Sequence, residues 1–279
     1  MPELPEVETT RRGIEKHVIN KQIFDVILRT KKLRWPIPAR LKTNLKDQSI
    51  SAVNRRGKYL LLTTGKGTLI IHLGMSGSLR VTDKTSPAKK HDHVDIVFSD
   101  KLLRLHDPRR FGAVLWTSNN PFQHKLLSSL GPEPLSQEFN GSYLYNHSRK
   151  RKISVKEFIM NSRIVVGIGN IYATEALYSS GINPLRAAGK ISNTRYELLA
   201  DNIKTVLTKA LQCGGTTLRD FVNEEGKPGY FSIDLKAYGR EGLPCMLCNK
   251  PLRAVKQNQR TTTYCTPVSY THLTLPTNA

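Results

Sequence analysis

Near the start of the chain Val7, Ile14 and Val18 recur at helical spacing behind the stretch MPELPEVETT, which predicts an amphipathic helix through about Val18. Proline suits the first turn of such a helix, where its missing N–H has no partner, and nearby carboxylates complement the positive end of the helix dipole. From Ile23 to about Trp116 the period changes. IFDVILRT, KYLLLTT, TLIIHLGM, HVDIVFSD and GAVLW are short apolar runs broken by Gly, Asp, Asn and Lys, the texture of a sandwich or barrel with the first helix packed on it. LGPEPLSQEFNGS reads as a linker. Beyond it SVKEFIMNS, NIYATEALYSSG and SNTRYELLADNIKTVLTKALQ carry helical periodicity, and a cysteine-bearing segment follows Gly239. No internal repeat is present, and 279 residues leave room for one large domain or two ordinary ones.

Charge changes this picture more than composition does. Forty-three Lys and Arg face 22 Asp and Glu, a net +21 with a pI near 10. A field of that sign favours a polyanion, and nucleic acid is the usual soluble one; a basic but functionally neutral surface is the rival on charge alone. No apolar run approaches the ~18 residues of a membrane span. The acidic start is no signal peptide, so the expectation is a cytoplasmic protein with no membrane partner and reduced thiols.

Five stretches carry candidate chemistry. In RIVVGIGNIYATEALYSSGINP, Gly167 and Gly169 resemble a dinucleotide loop, but Tyr172 stands where the third glycine belongs and no βαβ unit surrounds it. A tight glycine turn into a helix at Asn170 is left, and such a helix start binds an anion, here a backbone phosphate, unless it is a plain corner. NRRGKYLL is no P-loop, since Ala52 and Tyr59 replace its Gly and Ser/Thr, and Lys58 reads equally as a solvated lysine opening a strand. KKHDHVD offers His91 for phosphate contact in preference to a metal cluster. In HDPRRFGAVLW, Asp107-Pro108 signals a turn, and Arg109 and Phe111 fall on one side if the backbone is extended. A guanidinium beside an aromatic ring can fill a gap in a base stack; Phe111 as ordinary core is the competing reading.

The cysteines give the sharpest local signal. Cys245 and Cys248, with two residues between them, are followed after 16 residues by Cys265, three-quarters of a C-x2-C…C-x2-C metal site. The fourth ligand belongs at 268, which is Val268, and nothing in the spacing requires His272 to replace it. Cys213 stands apart. The final VSYTHLTLPTNA loses the basic texture and reads as foreign to the original frame.

Taken together, MPELPEVET, RRGKYL, HLGMSG, KHDHVD, DPRRFG, VVGIGNIYA, GGTTLRDF, GKPGYF and PCMLC resemble, in order, the motifs of bacterial formamidopyrimidine-DNA glycosylase, from Met1 to about Cys265. The resemblance implies an α+β protein. An N-terminal β-sandwich flanked by helices would span 1–130, a helix–two-turn–helix domain 131–236 and an incomplete zinc-finger hairpin 237–267, with an unrelated-looking tail at 268–279. The cleft between domains would bind damaged double-stranded DNA, and the protein would act as a nucleoid-associated monomer.

By the same resemblance Pro2, freed of Met1, is the nucleophile. An α-amino group has a reference pKa near 8, so about 10% is unprotonated at pH 7, against well under 0.1% of an ordinary lysine. Glu3 corresponds to the general acid that helps open the sugar, its pKa raised by burial, and Glu6 to a supporting carboxylate. Lys58 corresponds to the phosphate-touching proton donor in β-elimination, and Arg260 to the hairpin arginine of phosphate contact and δ-elimination. Met75, Arg109 and Phe111 match the trio that fills the void left by the everted base. His72, His91, Lys152 and Asn170 approximate phosphate-binding positions. Thr216 to Phe231 covers a loop over the lesion, with Thr216, Thr217 and Tyr230 on it and Gly226 and Gly229 as hinges. Cys245, Cys248 and Cys265 would hold one structural zinc, impaired by Val268. Endonuclease VIII, which takes oxidised pyrimidines on the same architecture, and a non-catalytic DNA-binding module are the alternatives.

Overall fold

Helix α1 runs from Leu4 to Val18 and buries Val7, Ile14 and Val18, the apolar stripe of the sequence. In the computed structural model, which describes residues 2–214 and 235–269, it is followed by β1 (Asp25–Leu28), α2 (Leu41–Leu45), β2 (Ile50–Arg56), β3 (Tyr59–Thr64), β4 (Gly67–His72), β5 (Ser78–Asp83), β6 (Asp92–Val97), β7 (Lys101–His106) and β8 (Ala113–Thr117). These eight strands form two antiparallel four-stranded sheets, ordered β1-β6-β7-β5 and β2-β3-β4-β8. One core joins them. Leu79, Val94, Ile96, Leu103 and Leu105 enter it from the first sheet, and Val53, Leu60, Leu62, Leu69, Ile71 and Val114 from the second, with the α1 stripe beside them. Each such side chain contributes about 1.5–3 kcal/mol on leaving water.

On the other face of the first sheet the alternation places charge. Asp95 of β6 pairs in register with Arg104 of β7, which neighbours Arg80 of β5. The Arg104 guanidinium donates to both Asp95 oxygens, at 2.8 and 2.9 Å, and Arg29 adds a third contact at 2.6 Å. Burial pushes the Asp95 carboxyl up, but the two arginines outweigh it and hold it below the usual carboxylate range. Asp92 is held by Arg80 at 3.1 Å and His106 at 2.8 Å. Both acids of KKHDHVD therefore neutralise arginines, which explains their place in the motif without a metal.

Residues 130–209 and 235–269 form a second compact unit. It holds α3 (Gly141–Ser148), α4 (Val155–Met160), α5 (Asn170–Ser179), most of α6 (Asn193–Gln212), and the hairpin of β9 (Arg253–Gln257) with β10 (Arg260–Tyr264). Helices α4, α5 and α6 fall on the three stretches with helical periodicity. Ser154 and Glu157 close a capping box on α4, the S-x-x-E signature. Gly167, at φ +82°, and Gly169, the N-cap, make the turn that starts α5 at Asn170. Within α5, Glu175 is buried and accepts the N–H groups of Lys236, Ala237 and Tyr238 at 2.7–2.9 Å. No described helix is long and apolar enough to cross a membrane.

Candidate active site

Pro2 is buried and directly precedes Glu3, the N-cap of α1. Glu3 accepts the Glu6 N–H, while Glu6 Oε2 accepts the Glu3 N–H at 2.8 Å, a reciprocal box with carboxylates at both positions. The two side chains are 2% and 0% exposed. The opening of the chain thus places two buried acids and a proline at the positive end of a helix dipole.

Lys58 reaches the same unit by a route the sequence reading missed. Gly57-Lys58 is the two-residue turn between β2 and β3, where Arg56 pairs with Tyr59 and Gly57 takes φ +55°. Arg55 donates from Nη1 to the Gly57 carbonyl at 2.8 Å and from Nε to Glu8 at 3.1 Å, tying this turn to α1. Burial pushes the Glu8 carboxyl up, yet hydrogen bonds from Arg11 and Arg12 and the charge of Arg55 bring it below its ordinary value. Arg55 and Glu8 sit in the quoted motifs, but only their separation of 47 residues in sequence, closed by the fold, shows what they do.

His72 ends β4 opposite Tyr59, their ring centroids 4.8 Å apart. Its Nδ1 accepts the Gly74 N–H at 3.0 Å, so the proton of the neutral ring lies on Nε2, which is left as a donor. Burial, and then the positive charges of Lys58 and Arg34, push this imidazole down to about 4. The folded value lies below the ~6.5 of an unfolded chain, so as pH falls through that interval the unfolded state binds the extra proton and stability is lost. His72→Gln removes that loss; urea unfolding of the variant is expected to give a flatter stability curve between pH 7 and 5.

Met75, Arg109 and Phe111 come together through two turns that touch. A Cβ on Gly74, at φ +69°, would lie 2.4 Å from the Phe111 carbonyl carbon and the Gly112 nitrogen. Buried Asp107 links the same turns, accepting the Gly112 N–H at 2.7 Å and the Ser76 hydroxyl at 3.4 Å. The Arg109 guanidinium lies over the Phe111 ring at 5.1 Å. An extended backbone does not produce this pair: Arg110 between them is left-handed at φ +55°. Phe111 is 44% and Met75 38% exposed, so neither is core. His91, half-buried, stacks edge-on with His93 and His106 at 6.3 and 5.9 Å.

The second unit assembles its own basic group. Asn258-Gln259 turns the hairpin with both residues left-handed, the φ pattern of a type I′ turn, and sets Arg260 at the head of β10. The hairpin is sewn to two helix starts. Asn258 donates to Glu157, Gln257 to Ser154 at 3.1 Å, and Asn170 to the Thr261 carbonyl at 3.0 Å. Buried Lys156 donates to Thr262 at 2.8 Å. Arg260, Asn170 and Lys156 line one recess of about 140 Å³, where the Asn170 Oδ1 has no hydrogen-bond partner among the described residues. Lys156 was hidden in an ordinary amphipathic pattern; Lys152, the expected lysine, is exposed outside this recess. Thr216, Thr217, Gly226, Gly229, Tyr230 and His272 lie outside the described residues.

The sulfurs of Cys245, Cys248 and Cys265 lie within 4.8 Å of one another, the one such ligand group among the described residues. Burial raises the Cys245 thiol, but the Tyr178 hydroxyl, 3.1 Å away, and the amides of Leu247 and Cys248 bring it down to about 7. Burial and the neighbouring sulfurs push Cys265 up to about 12, against the Val268 amide. The soft donor set suits a thiophilic ion. Among the described residues it supplies three of the four protein ligands that a structural zinc site takes, and Val268 packs against the cluster as a hydrophobe.

Comparison with known proteins places these features. Residues 1–114 match the model of the formamidopyrimidine-DNA glycosylase N-terminal domain, and residues 130–222 that of the formamidopyrimidine-DNA glycosylase H2TH domain. The chain is 57% identical over 267 residues to the formamidopyrimidine-DNA glycosylase of Nitrosococcus oceani, covering 95% of this chain and 98% of that one. The Psychromonas ingrahamii enzyme is 55% identical, with the same coverage. Among solved structures, the MutM (Fpg) protein of Thermus thermophilus superposes with a TM-score of 0.85 at 33% identity, over 96% of this chain and 98% of that one. Lactococcus lactis Fpg bound to DNA containing N7-benzyl-Fapy-dG gives 0.88 at 31%, over 96% and 99%.

Proposed function

The chain belongs to the formamidopyrimidine-DNA glycosylase family, and on that premise we propose which of its residues carry the reaction. It is a DNA glycosylase of base-excision repair whose partner is damaged duplex DNA, in a family that also has AP lyase activity. Its substrates are oxidised purines, 8-oxoguanine and formamidopyrimidines, and it acts in the cytoplasm as a monomer on nucleoid DNA.

Removal of Met1 frees the secondary amine of Pro2. This amine adds to C1′ of the damaged nucleoside as the base departs and, once the ring opens, forms a charged iminium. Glu3 supplies the proton that opens the sugar, and Glu6 holds the Glu3 backbone in place. The iminium accepts electrons as a proton leaves C2′ and the 3′ phosphate is expelled; δ-elimination then expels the 5′ phosphate. Lys58 donates a proton in the first elimination and Arg260 serves the second. Nε2 of His72, His91, Lys152, Asn170 and, in the recess, Lys156 hold phosphates, while Met75, Arg109 and Phe111 occupy the space of the everted base. The three thiolates would steady the hairpin that carries Arg260; no step runs through a metal.

The observation that carries the reading is the buried Pro2–Glu3 pair at the capped start of α1. Duplexes holding 8-oxoguanine or thymine glycol, each with borohydride, test it. The expected result is cleavage at 8-oxoguanine and an adduct on the leading peptide. Preference for thymine glycol would make the enzyme endonuclease VIII-like, and binding without an adduct would leave a recognition module.

A further inference from the structure

The two Cys-bearing turns share one backbone hydrogen bond, and they end differently. In the first, the Asn249 amide donates to the Cys245 carbonyl at 2.9 Å, and Cys248, three residues on from Cys245, presents its own sulfur to the cluster. In the second, the Ser269 amide donates to the Cys265 carbonyl at the same 2.9 Å, and the residue three on from Cys265 is Val268. Val268 therefore stands to Cys265 as Cys248 stands to Cys245, and it presents two methyl groups where the fourth ligand of a tetrahedral ion belongs. It packs as a hydrophobe against the cluster that holds Cys245, Cys265, Tyr178 and Leu252.

We infer that this hairpin is a three-thiolate site, closed on its fourth side by Val268, that selects a three-coordinate thiophilic cation of the trivalent arsenic class over zinc. Zinc in a structural site is four-coordinate and finds three ligands among the described residues. Trivalent arsenic forms three bonds to thiolates and carries a lone pair on its fourth side, which a valine face accommodates. The sulfurs of Cys248 and Cys265 are 3.4 Å apart, and all three fall within 4.8 Å, close enough to converge on one atom. The exchange balances without a redox step: three As–O bonds of arsenous acid break, three As–S bonds form, and the three thiol protons leave with the hydroxides as water. Cys213, the remaining cysteine, is not among the grouped ligands, and a lone thiol could displace only one hydroxide. The inference is independent of the DNA chemistry.

Metal-free full-length protein is titrated with arsenite and, separately, with zinc against a chromophoric chelator, and intact mass is read under native conditions. The expected product is one arsenic per chain with three protons lost. Val268→Cys is expected to tighten zinc about a hundredfold by restoring the fourth thiolate, and to change arsenite affinity by less than about threefold, because arsenic has no use for it. Cys248→Ser, at a half-exposed position, should abolish the three-proton product while leaving the helical circular dichroism unchanged. Zinc bound as tightly by the unaltered chain as by Val268→Cys, or arsenic bound with fewer than three protons lost, would overturn the proposal.

Discussion

Protein whose Pro2 nitrogen stays in an amide, through a retained Met1 or an N-terminal tag, should bind lesion duplex yet cut none of it. An amide nitrogen has no available lone pair, so neither addition to C1′ nor an iminium is possible, and the electron sink for strand cleavage is lost with them. Loss of a covalent nucleophile is felt on a scale of about 10⁴ or more in kcat. Binding should survive, because the residues proposed to hold phosphates are spread over both units and the +21 field is untouched. The contrast between Kd and kcat is therefore the readout: gel-shift titration within a few-fold of the processed protein, with cleavage and borohydride adduct both gone. Pro2→Gly keeps an amine, but a primary one whose imine must still be protonated, and should fall between the two. Normal cleavage by the tagged protein would remove Pro2 from the mechanism and leave Lys58 to be examined as the nucleophile.

The second large effect is expected from one methyl group. Gly74→Ala would put a Cβ 2.4 Å from backbone atoms of Phe111 and Gly112, at a φ of +69°. No rotamer change relieves a backbone clash, and the left-handed conformation alone costs an alanine about 1 kcal/mol. The 73–77 turn must then retreat from the 107–112 turn. That motion strains the Gly74 N–H bond to His72 and the Asp107 bonds that bridge the two turns. A stability loss of about 2–4 kcal/mol is expected in urea. Because Met75 leaves Arg109 and Phe111, kcat/KM on an 8-oxoguanine duplex should fall by about a hundredfold. An abasic duplex, with no base to evict, should suffer less. Stability within about 0.5 kcal/mol of the unaltered protein would mean that the contact between these turns is not as tight as the geometry has it.

Much of the fold was legible because period and burial agree. The α1 stripe, the apolar runs that became β1, β3, β4, β6 and β8, and three of the helices were all marked by spacing. Strands β2, β5 and β7 were missed for a physical reason: β2 ends on Asn54, Arg55 and Arg56, and the outer positions of the other two, Arg80 and Arg104, carry charge into a buried ion network, which blurs an apolar run. Helix α2 is too short for a period to show, and α3 buries only Gly141, Leu144 and Ser148, of which Leu144 alone is a large apolar residue. At the site, the residues and two of their supports, Arg55 and Asp107, stood in recognisable motifs, but the work of the supports did not show. Arg55, Asp107 and Lys156 act through partners 47, 31 and 106 residues away, and no local pattern records such distances.

Glu175 and Tyr178 sit one helical turn apart on α5, and both reach chain that comes more than sixty residues later. The helix that opens at Asn170 therefore also serves as the mould against which the cysteine hairpin sets. A transplanted hairpin, taken from a relative with all its thiolates, would arrive without that mould unless its own fifth helix travelled with it. Swapping the hairpin alone risks an orphaned carboxylate and an orphaned phenol in the interior. The heritable module begins at the glycine turn, not at the first cysteine.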